Sequence, residues 1–540
     1  GTATFDLPAG AYTLVVDGVD ASTPGFAFRL LDLADAVAIS PGTGVAGTLT
    51  PARETDVYKF DASAGQRFYF NDTLNSGGDT WWRLLDPYGR TILGPSAIGN
   101  DIDVTALPYS GSYTLLVEGR YYTGNQSNYA FNIQPVTDGE QAMVLGTQVD
   151  GNIASAGQRQ RYTFSLAADS RLLFDSLTNS AQLNWTLVGP RGTVISGRQF
   201  NNSDSGNLGG ASLLGLVAGD YTLSVDATGD TTGAFSFRLL ELASASAIAL
   251  GADVVGTLSP GNSTALYKFD ASAGDELLFD RKALTGGSPY WRLIDPTGVQ
   301  LFGPEFFNDR AAITLAMSGS YTVFFEGVVG DAGDTTYTFN LTLQGNTPPA
   351  ALTGIDLALG DTASGVISAV GEADDYVFTI AAPTRLVYDG LSSNTNFSWR
   401  IDGPRGFELS RANHADSADG GATAAIELVL PGTYRLRMTG NGSTTGNYAF
   451  RLLDLASATA ITPGTAVSGT LNPATSSQLY RFDVTAGERF YFDRSANAGG
   501  DTYWRLLDPY GRPVWGPSGI GGDIDVTTLA YSGSYTLLVE

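Results

Sequence analysis

Apolar and polar residues alternate with a period of two along most of this chain, which is the pattern of half-buried β-strands. In the run 111–118, for example, Tyr113, Leu115 and Val117 fall on one face of the predicted strand. Clusters of Gly, Pro, Asn and Asp separate such runs and favour tight turns. The stretch 33–36 and its copies predict one helical turn at most. The pattern therefore predicts an all-β protein.

The run 111–118 recurs along the chain at a nearly fixed interval of 100 to 113 residues. The tyrosines of its copies are Tyr12, Tyr113, Tyr221, Tyr321, Tyr434 and Tyr535. This interval is the length of one β-sandwich domain and not of one solenoid turn. We therefore interpret the chain as a linear array of antiparallel β-sandwich domains, in which each Gly-x-Tyr begins the penultimate strand. The Gly allows a bend, and the Tyr buries its ring and returns its hydroxyl to nearby backbone; this is favoured over a tyrosine that lines a ligand site.

Two types of unit alternate. The A type carries Asp-Pro-x-Gly after its Trp strand, as at 86–89, whereas the B type carries Gly-Pro-Arg-Gly, as at 189–192. The predicted domains are 1–31 (the C-terminal part of a B-type sandwich), 32–135 (A-type), 136–240 (B-type), 241–344 (A-type), 345–453 (B-type) and 454–540 (A-type, lacking its last strand). The five tryptophans predicted to fill the cores are Trp82, Trp185, Trp291, Trp399 and Trp504.

The junctions between units differ in composition. Each B-to-A junction reads Phe-x-Phe-Arg-Leu-Leu-acid-Leu-Ala, at 26–34, 235–243 and 448–456. This run is apolar and lacks Gly and Pro, so it is expected to pack. The A-to-B junctions at 134–139 and 344–349 are polar and rich in turn residues. We therefore hypothesise stiff B–A pairs that are joined by looser A–B hinges.

Composition restricts the partners. The net charge is −25 with only three lysines, so the surface repels nucleic acid and anionic lipid. No cysteine is present, which excludes disulfides, thiolate metal sites and a Cys nucleophile. No apolar run has the 18 or more residues of a membrane helix, so membrane insertion is not expected. The sequence opens and closes inside a repeat and shows no signal peptide, so we expect a segment of a longer protein.

The residues do not form a catalytic constellation. The only histidine, His414, falls in a polar loop and is expected to be exposed. Its counterpart in the first B-type unit, near Ser203, has no histidine, so a Ser-His-Asp set cannot recur. Paired carboxylates arise by chance in so acidic a chain and are a weak sign of a glycosidase. We therefore expect no enzymatic activity.

Calcium is the one metal that the sequence suggests. Asp101 and Asp103, and their copies Asp523 and Asp525, each place two carboxylates on one side of a short extended run. Calcium prefers such hard oxygen ligands in loops. The middle A-type unit has Asn-Asp-Arg there, at 308–310. The four aspartates are candidate calcium ligands, with plain solvated loop acids as the alternative, and no other cofactor is indicated.

Several aromatic residues fall in or near predicted loops. They are Tyr88, Tyr510, Trp515 and the pair Tyr121 and Tyr122. Such rings can stack on sugars or on a neighbouring domain. Because Tyr88 and Tyr510 occupy equivalent turns of a repeated unit, packing between domains is the preferred interpretation, and glycan binding is the alternative.

Each unit carries an ordered set of short motifs, seen best in the second A-type unit. They are Gly-Thr-Leu at 256–258, Tyr-x-Phe followed by Ala-Gly at 267–274, Asp-Pro-x-Gly at 295–298, Ser-Gly-Ser-Tyr-Thr-Val at 318–323 and Tyr-x-Phe at 337–339. In this order the unit resembles the bacterial pre-peptidase C-terminal domain family, over essentially the whole chain. The resemblance implies a compact β-sandwich, secretion, and an accessory role beside a protease or within a giant surface protein. The family assigns no catalytic residues.

Tandem copies of this kind also resemble the repeat regions of giant bacterial adhesins and extracellular fibres. The sequence therefore predicts a non-catalytic structural segment of a very large secreted bacterial surface or filament protein, which acts as a rod or fibre. Its expected partners are neighbouring repeats and other copies of the chain, and its expected location is extracellular or on the cell surface. The alternatives are a multivalent glycan- or calcium-binding array, or an accessory region of a secreted enzyme.

Overall fold

The computed structural model describes residues 4–18, 23, 25–122, 124, 126–203, 213–392, 396–411, 414 and 425–540. The described chain is built from β-strands and four helical segments of three residues each, which confirms the all-β prediction. The helical segments are 310 helices at Leu33–Asp35, Phe200–Asn202, Leu242–Ser244 and Leu455–Ser457. The chain divides into two compact units, of which the first ends at Glu241 and the second begins at Leu242. We describe each unit separately and call the predicted repeats modules.

The first unit contains the first A-type and the first B-type module. The strands of the first A-type module are β1 (Val37–Ala38), β2 (Val45–Leu49), β3 (Thr55–Ala62), β4 (Arg67–Ser76), β5 (Thr80–Leu85), β6 (Thr91–Ala97), β7 (Ile102–Ala106), β8 (Gly111–Gly119) and β9 (Ser127–Pro135). The strands of the first B-type module are β10 (Gly139–Ala142), β11 (Val149–Ile153), β12 (Gln160–Leu166), β13 (Ser170–Ser176), β14 (Leu183–Gly189), β15 (Gly192–Gln199), β16 (Leu213–Leu216), β17 (Gly219–Ala227) and β18 (Gly233–Glu241).

The second unit contains three modules. The strands of the second A-type module are β19 (Ser246–Ala247), β20 (Asp253–Leu258), β21 (Thr264–Ala271), β22 (Asp275–Thr285), β23 (Tyr290–Ile294), β24 (Gln300–Phe306), β25 (Arg310–Thr314), β26 (Gly319–Glu326) and β27 (Thr335–Asn346). Those of the second B-type module are β28 (Ile355–Asp356), β29 (Ala363–Ile367), β30 (Ala373–Ile380), β31 (Thr384–Gly390), β32 (Phe397–Gly403), β33 (Gly406–Arg411), β34 (Ile426–Leu428), β35 (Gly432–Gly440) and β36 (Gly446–Asp454). Those of the third A-type module are β37 (Thr459–Ala460), β38 (Gln478–Val484), β39 (Arg489–Phe492), β40 (Tyr503–Leu507), β41 (Pro513–Gly519), β42 (Ile524–Thr528) and β43 (Gly533–Val539).

One sheet order recurs from module to module. In the first A-type module a five-stranded sheet, β1-β3-β8-β5-β6, accompanies a four-stranded sheet, β2-β9-β4-β7. The strands pair antiparallel except for the short β1, which runs parallel to β3. The next three modules repeat both orders, whereas the third A-type module has the five-stranded sheet and a two-stranded β39-β42 sheet. Residues of both sheets contribute to one apolar cluster in each of the first four modules.

The predicted core tryptophans are buried in every module. Their side chains are at most 5% exposed, and Trp185 and Trp291 are fully buried. Trp291 contacts the rings of Phe279 on β22, Phe339 on β27 and Phe307, which follows β24. The prediction for these tryptophans is therefore confirmed.

The Gly-x-Tyr motif and the turn motif meet in one structure. The hydroxyl of Tyr321 donates to the carbonyl of Met317, four residues earlier, at 2.7 Å. Tyr113, Tyr221 and Tyr434 make the same bond. Gly319 has a φ of +145°, and a Cβ there would lie 2.7 Å from Cγ of Pro296, the proline of Asp-Pro-x-Gly. Glycine is required because it provides this φ and lets the strand lie against the turn.

Two expectations need correction. The repeats are not separate domains, because the compact units number two, and neighbouring modules within each unit share apolar clusters. The strands predicted within 1–31 are also wrong, since the described residues there form no strand and Phe26, Phe28 and Leu30 are exposed. Strands need partners, and in the complete B-type modules the corresponding strands pair with earlier ones.

Candidate functional site

The most elaborate contact between modules joins the second B-type to the third A-type module, inside the second unit. Strand β36 turns alternate side chains such as Phe450 and Leu452 into its own core. Leu453 points the other way and packs with Val387 and with Leu479, Leu507 and Leu538 of the third A-type module. We call this contact the B–A joint. Alternation in the junction sequence predicts this outward leucine.

A polar network lies beside the apolar cluster of the B–A joint. The carboxylate of Asp389, which is fully buried, accepts a bond from Nε of Arg451 at 2.7 Å. It also accepts one from the backbone N–H of Ser477, across the joint, at 2.9 Å. Arg451 donates in turn to the carbonyl of Ser477 at 3.1 Å. Burial raises the pKa of Asp389, and the positive charge of Arg451 opposes that rise.

The A-type side of the joint carries a second buried ion pair. Nε of Arg505 on β40 lies 2.6 Å from Oε1 of Glu540, and both side chains are almost fully buried. They share the outer face of the five-stranded sheet with Leu507 and Leu538, the residues that contact the B-type module. Equivalent pairs are Arg83 with Glu118 and Arg292 with Glu326. Sequence reasoning missed these pairs, although Trp-Arg-Leu recurs in all three A-type modules.

The Asp-Pro-Tyr-Gly turn of the third A-type module also touches the B-type module. The carbonyl of Gly511 accepts from the backbone N–H of Ala425 at 3.0 Å, and that of Pro509 accepts from Arg385 at 3.4 Å. The ring of Tyr510 itself packs within its own module on Tyr531. The backbone of this turn, rather than the tyrosine ring, therefore forms the contact between modules.

The other aromatic residues that were predicted to lie in or near loops differ in their surroundings. Tyr88 packs on Tyr109 of its own module, with the guanidinium of Arg90 over both rings. Trp515 packs against the core residues Phe492 and Trp504 of its module. Tyr121 and Tyr122 remain largely exposed, at 82% and 58%.

The two A-to-B junctions are unlike each other. At the first, inside the first unit, Val136 is buried and packs with Tyr69, Ala156 and the partly buried Val104. Asp138 there is ion-paired with arginines of both modules. At the second, residues 343–350 are all exposed, although Leu430 of the B-type module packs against the core of the A-type module. The junction at 134–139 is thus more apolar in its contacts than its polar composition predicts.

The aspartates predicted to bind calcium are engaged in local hydrogen bonds. Asp101 accepts from the hydroxyl of Tyr69 at 2.7 Å and from the backbone N–H of Asp72 at 2.8 Å. Asp103 accepts from the N–H of Val104. Tyr69 also donates to Asp230 of the first B-type module at 3.2 Å.

The copies in the third A-type module have the same arrangement. Asp523 accepts from the hydroxyl of Tyr491 at 2.7 Å and from the N–H of Arg494 at 2.9 Å, and Asp525 accepts from the N–H of Val526. Among the described residues, no group of three His, Cys, Asp or Glu side chains is placed to hold a metal ion. Calcium binding by these four aspartates stays a prediction.

His414 is buried, so the expectation of an exposed loop histidine is wrong. Its side chain is 0% exposed; Nδ1 pairs with the hydroxyl of Tyr388, and Nε2 lies 2.7 Å from Oγ of Ser392. The counterpart Ser203 is also buried and accepts from Nε1 of Trp185 at 2.8 Å. Each B-type module therefore has one buried polar side chain at this position, which the polar local sequence does not reveal. Because a tyrosine, not a carboxylate, contacts Nδ1, the geometry is not that of a Ser-His-Asp triad.

Comparisons with known proteins give little guidance. No family model matches the chain, and no curated protein matches it. Among solved structures, the chain is similar to the CUB1-EGF-CUB2 domains of rat MASP-1, over 37% of this chain and 99% of that one, at 10% identity and a TM-score of 0.14. It is also similar to arabinofuranosyltransferase AftD from Mycobacteria, over 94% of this chain and 40% of that one, at 9% identity and a TM-score of 0.13. Likenesses at this level carry no argument about fold or function.

In the parts of the chain that the structure describes, no helix has the length and apolar character needed to cross a membrane.

The buried His414 predicts an acid-sensitive second B-type module. Burial lowers the pKa of His414 from 6.5 to about 4. The folded state holds this imidazole neutral. The free energy of unfolding is therefore at its full value above pH 6.5 and falls by up to roughly 3 kcal/mol as the pH drops towards 4.

Thermal unfolding of the wild-type chain and of His414→Gln between pH 7.5 and 4 tests this. The variant is expected to be less stable at pH 7.5 but to lose less stability on acidification. The first B-type module, which has Ser203 at this place, is the internal control. Equal acid-induced losses in the wild type and the variant would contradict the assignment.

Proposed function

We propose that this chain is a non-catalytic structural repeat segment of a very large secreted bacterial surface or filament protein of the adhesin kind, acting as a rod or fibre. The B–A joint is the observation that carries the proposal. It combines an apolar cluster around Leu453 with the buried network of Arg451, Asp389 and Ser477. Such a joint holds one module on the next in a single orientation, which a spacer requires and a catalytic site does not.

On this proposal each pair of facing sheets is a β-sandwich, and sandwiches of two types, related to the pre-peptidase C-terminal domain, alternate along the sequence. The shared strand order of four modules and their largely antiparallel pairing support it. The strongly acidic surface suits a protein that stays dispersed outside the cell. The proposed partners are the neighbouring repeats and other copies of the chain.

The alternative of an array of identical binding sites has less support. The aspartate pair is present in the first and third A-type modules, whereas the second has Asn308 and Arg310 around its single Asp309. The exposed Tyr121 and Tyr122 correspond to Val329 and Gly330 in the second A-type module. Avidity requires repeated sites, and these candidates are not repeated in every module.

Fractionation of the source cells with an antibody raised against this chain tests the proposal. The expected result is a polypeptide far larger than the 56.6 kDa of this sequence, on the cell surface or in the medium. An antigen confined to the cytosol, or one of about this size that carries hydrolase activity, would contradict it.

A further inference from the structure

One exposed aromatic cluster lies outside the cores and the joints. In the first A-type module, the start of β5 and the turn after β8 bring together Trp81, Arg120, Tyr121 and Tyr122. The guanidinium of Arg120 lies 4.5 Å from the ring centroid of Trp81 and 5.4 Å from that of Tyr122. The rings of Tyr121 and Tyr122 meet edge to face, with centroids 5.4 Å apart. We call these residues, together with Asp79, the aromatic platform.

Asp79 fixes the platform in place. Its Oδ1 accepts from Nε1 of Trp81 at 2.8 Å, and its Oδ2 accepts from the hydroxyl of Tyr122. The hydrogen bond from Tyr122 has the largest effect on the pKa of Asp79, and that from Trp81 comes next; both lower it. Asp79 is therefore a carboxylate at neutral pH. The backbone N–H of Arg120 also donates to the carbonyl of Asp79 at 3.2 Å. The rings are thus held before any ligand arrives, which reduces the entropy that binding costs.

The platform does not serve the packing of its own module. Trp82, the next residue, fills the core, so Trp81 lies on the opposite face of the strand. The most exposed ring, Tyr121, is 82% exposed. In the second A-type module the positions of Tyr121 and Tyr122 are occupied by Val329 and Gly330, so the fold does not need aromatic residues there. Exposed aromatic clusters of this kind mark binding surfaces.

We propose that the aromatic platform binds a neutral carbohydrate through the apolar face of a pyranose ring. The C–H groups of that face carry partial positive charge and fit the negative face of a tyrosine ring. Both carboxylate oxygens of Asp79 keep a second lone pair for sugar hydroxyls. The exposed rings are about the size of one or two sugar units. A stable protein interface buries about 800 Å² on each partner, which is more than these rings offer.

The negative charge of the chain argues against single-stranded nucleic acid as the ligand of the aromatic platform. Single-stranded nucleic acid also stacks on such rings, but it needs a groove of cations along its backbone. The platform offers Arg120, which is already stacked on Trp81 and stands near the carboxylate of Asp79. The chain as a whole carries a net charge of −25. A neutral saccharide avoids this repulsion.

The test uses the whole 540-residue chain against a glycan microarray, followed by titration calorimetry with soluble cello-, chito-, malto- and laminari-oligosaccharides. The wild type is expected to bind at least one of them. Tyr121→Ala with Tyr122→Ala is expected to weaken that binding at least tenfold, and Asp79→Asn to weaken it several-fold. Tyr88→Ala is the matched control, because this exposed tyrosine lies beyond the other end of β5 and should leave binding unchanged.

Three results would overturn the assignment. They are the absence of binding to every neutral oligosaccharide at millimolar concentration, binding that the double variant leaves intact, and self-association in sedimentation that the double variant abolishes. The last result would show that the platform is a contact between copies of the chain. Thermal unfolding of each variant verifies that the module remains folded. None of these results depends on the proposed role as a rod.

Discussion

Trp291→Ala is expected to lower the free energy of unfolding of the second A-type module by about 3–5 kcal/mol. The side chain is fully buried and contacts Phe279, Phe302, Phe307 and Phe339. Truncation would open a cavity that these rings, which belong to strands of both sheets and to a loop, cannot close. The loss would come from packing, since no described residue accepts a hydrogen bond from the indole Nε1.

Native-state hydrogen exchange of the full chain measures this effect module by module. Amides of β22 and β27 in Trp291→Ala should exchange faster, while those of β31 and β36 should change much less. Trp291→Phe is the matched control. It is expected to lose less stability than Trp291→Ala, because it keeps most of the ring contacts. Exchange in the alanine variant equal to that of the wild type would show that the indole contributes little to this core.

Arg451→Met is expected to destabilise the B–A joint by about 3–5 kcal/mol, because it leaves the buried carboxylate of Asp389 without its cation. Loss of the opposing charge should raise the pKa of Asp389 further. A group whose folded pKa lies above its unfolded value stabilises the fold as the pH falls. The difference in unfolding free energy between the wild type and Arg451→Met should therefore become smaller as the pH is lowered from 7 to 4.5.

Calorimetry of three further variants isolates the ion pair. Arg451→Met combined with Asp389→Leu should recover most of the loss, because no buried charge is left unpaired. Arg400→Met is the control: its side chain is half exposed, and its partner Asp402 keeps Arg435 at 2.8 Å, so a change under about 1 kcal/mol is expected. A double variant as unstable as Arg451→Met would contradict the account of this network.

Local constraints that recur in every repeat could be predicted from the sequence. The alternation around Gly-x-Tyr gives a strand in each of the five modules, though not at 10–12, and the tyrosine makes the expected corner bond, as Tyr321 does with Met317. The tryptophan before each turn is buried because it lies on the core face of a strand in every copy. Comparison of the repeats identifies these positions, because the residues that the fold requires recur in each repeat while the others vary.

Features that depend on distant residues could not be predicted in this way. Arg505 on β40 pairs with Glu540, directly after β43, across two strands that are distant in the sequence. The imidazole of His414 is buried against Tyr388 of β31, a contact that no local pattern encodes. Asp101 and Asp523 have the local sequence of a candidate calcium loop, yet a tyrosine on a neighbouring strand contacts each of them.

We infer that the B–A joint holds two modules in one orientation, and the distance between two spin labels, one in each module, reports on this. The chain has no cysteine, so Ser364→Cys and Thr528→Cys place unique spin labels on exposed strand positions of the second B-type and third A-type modules. Labels at Ser364 and Thr379, within one module, give the reference width. We predict that the distance distribution across the joint is as narrow as this reference and broadens in Arg451→Met. A broad distribution in the otherwise wild-type chain would contradict the account.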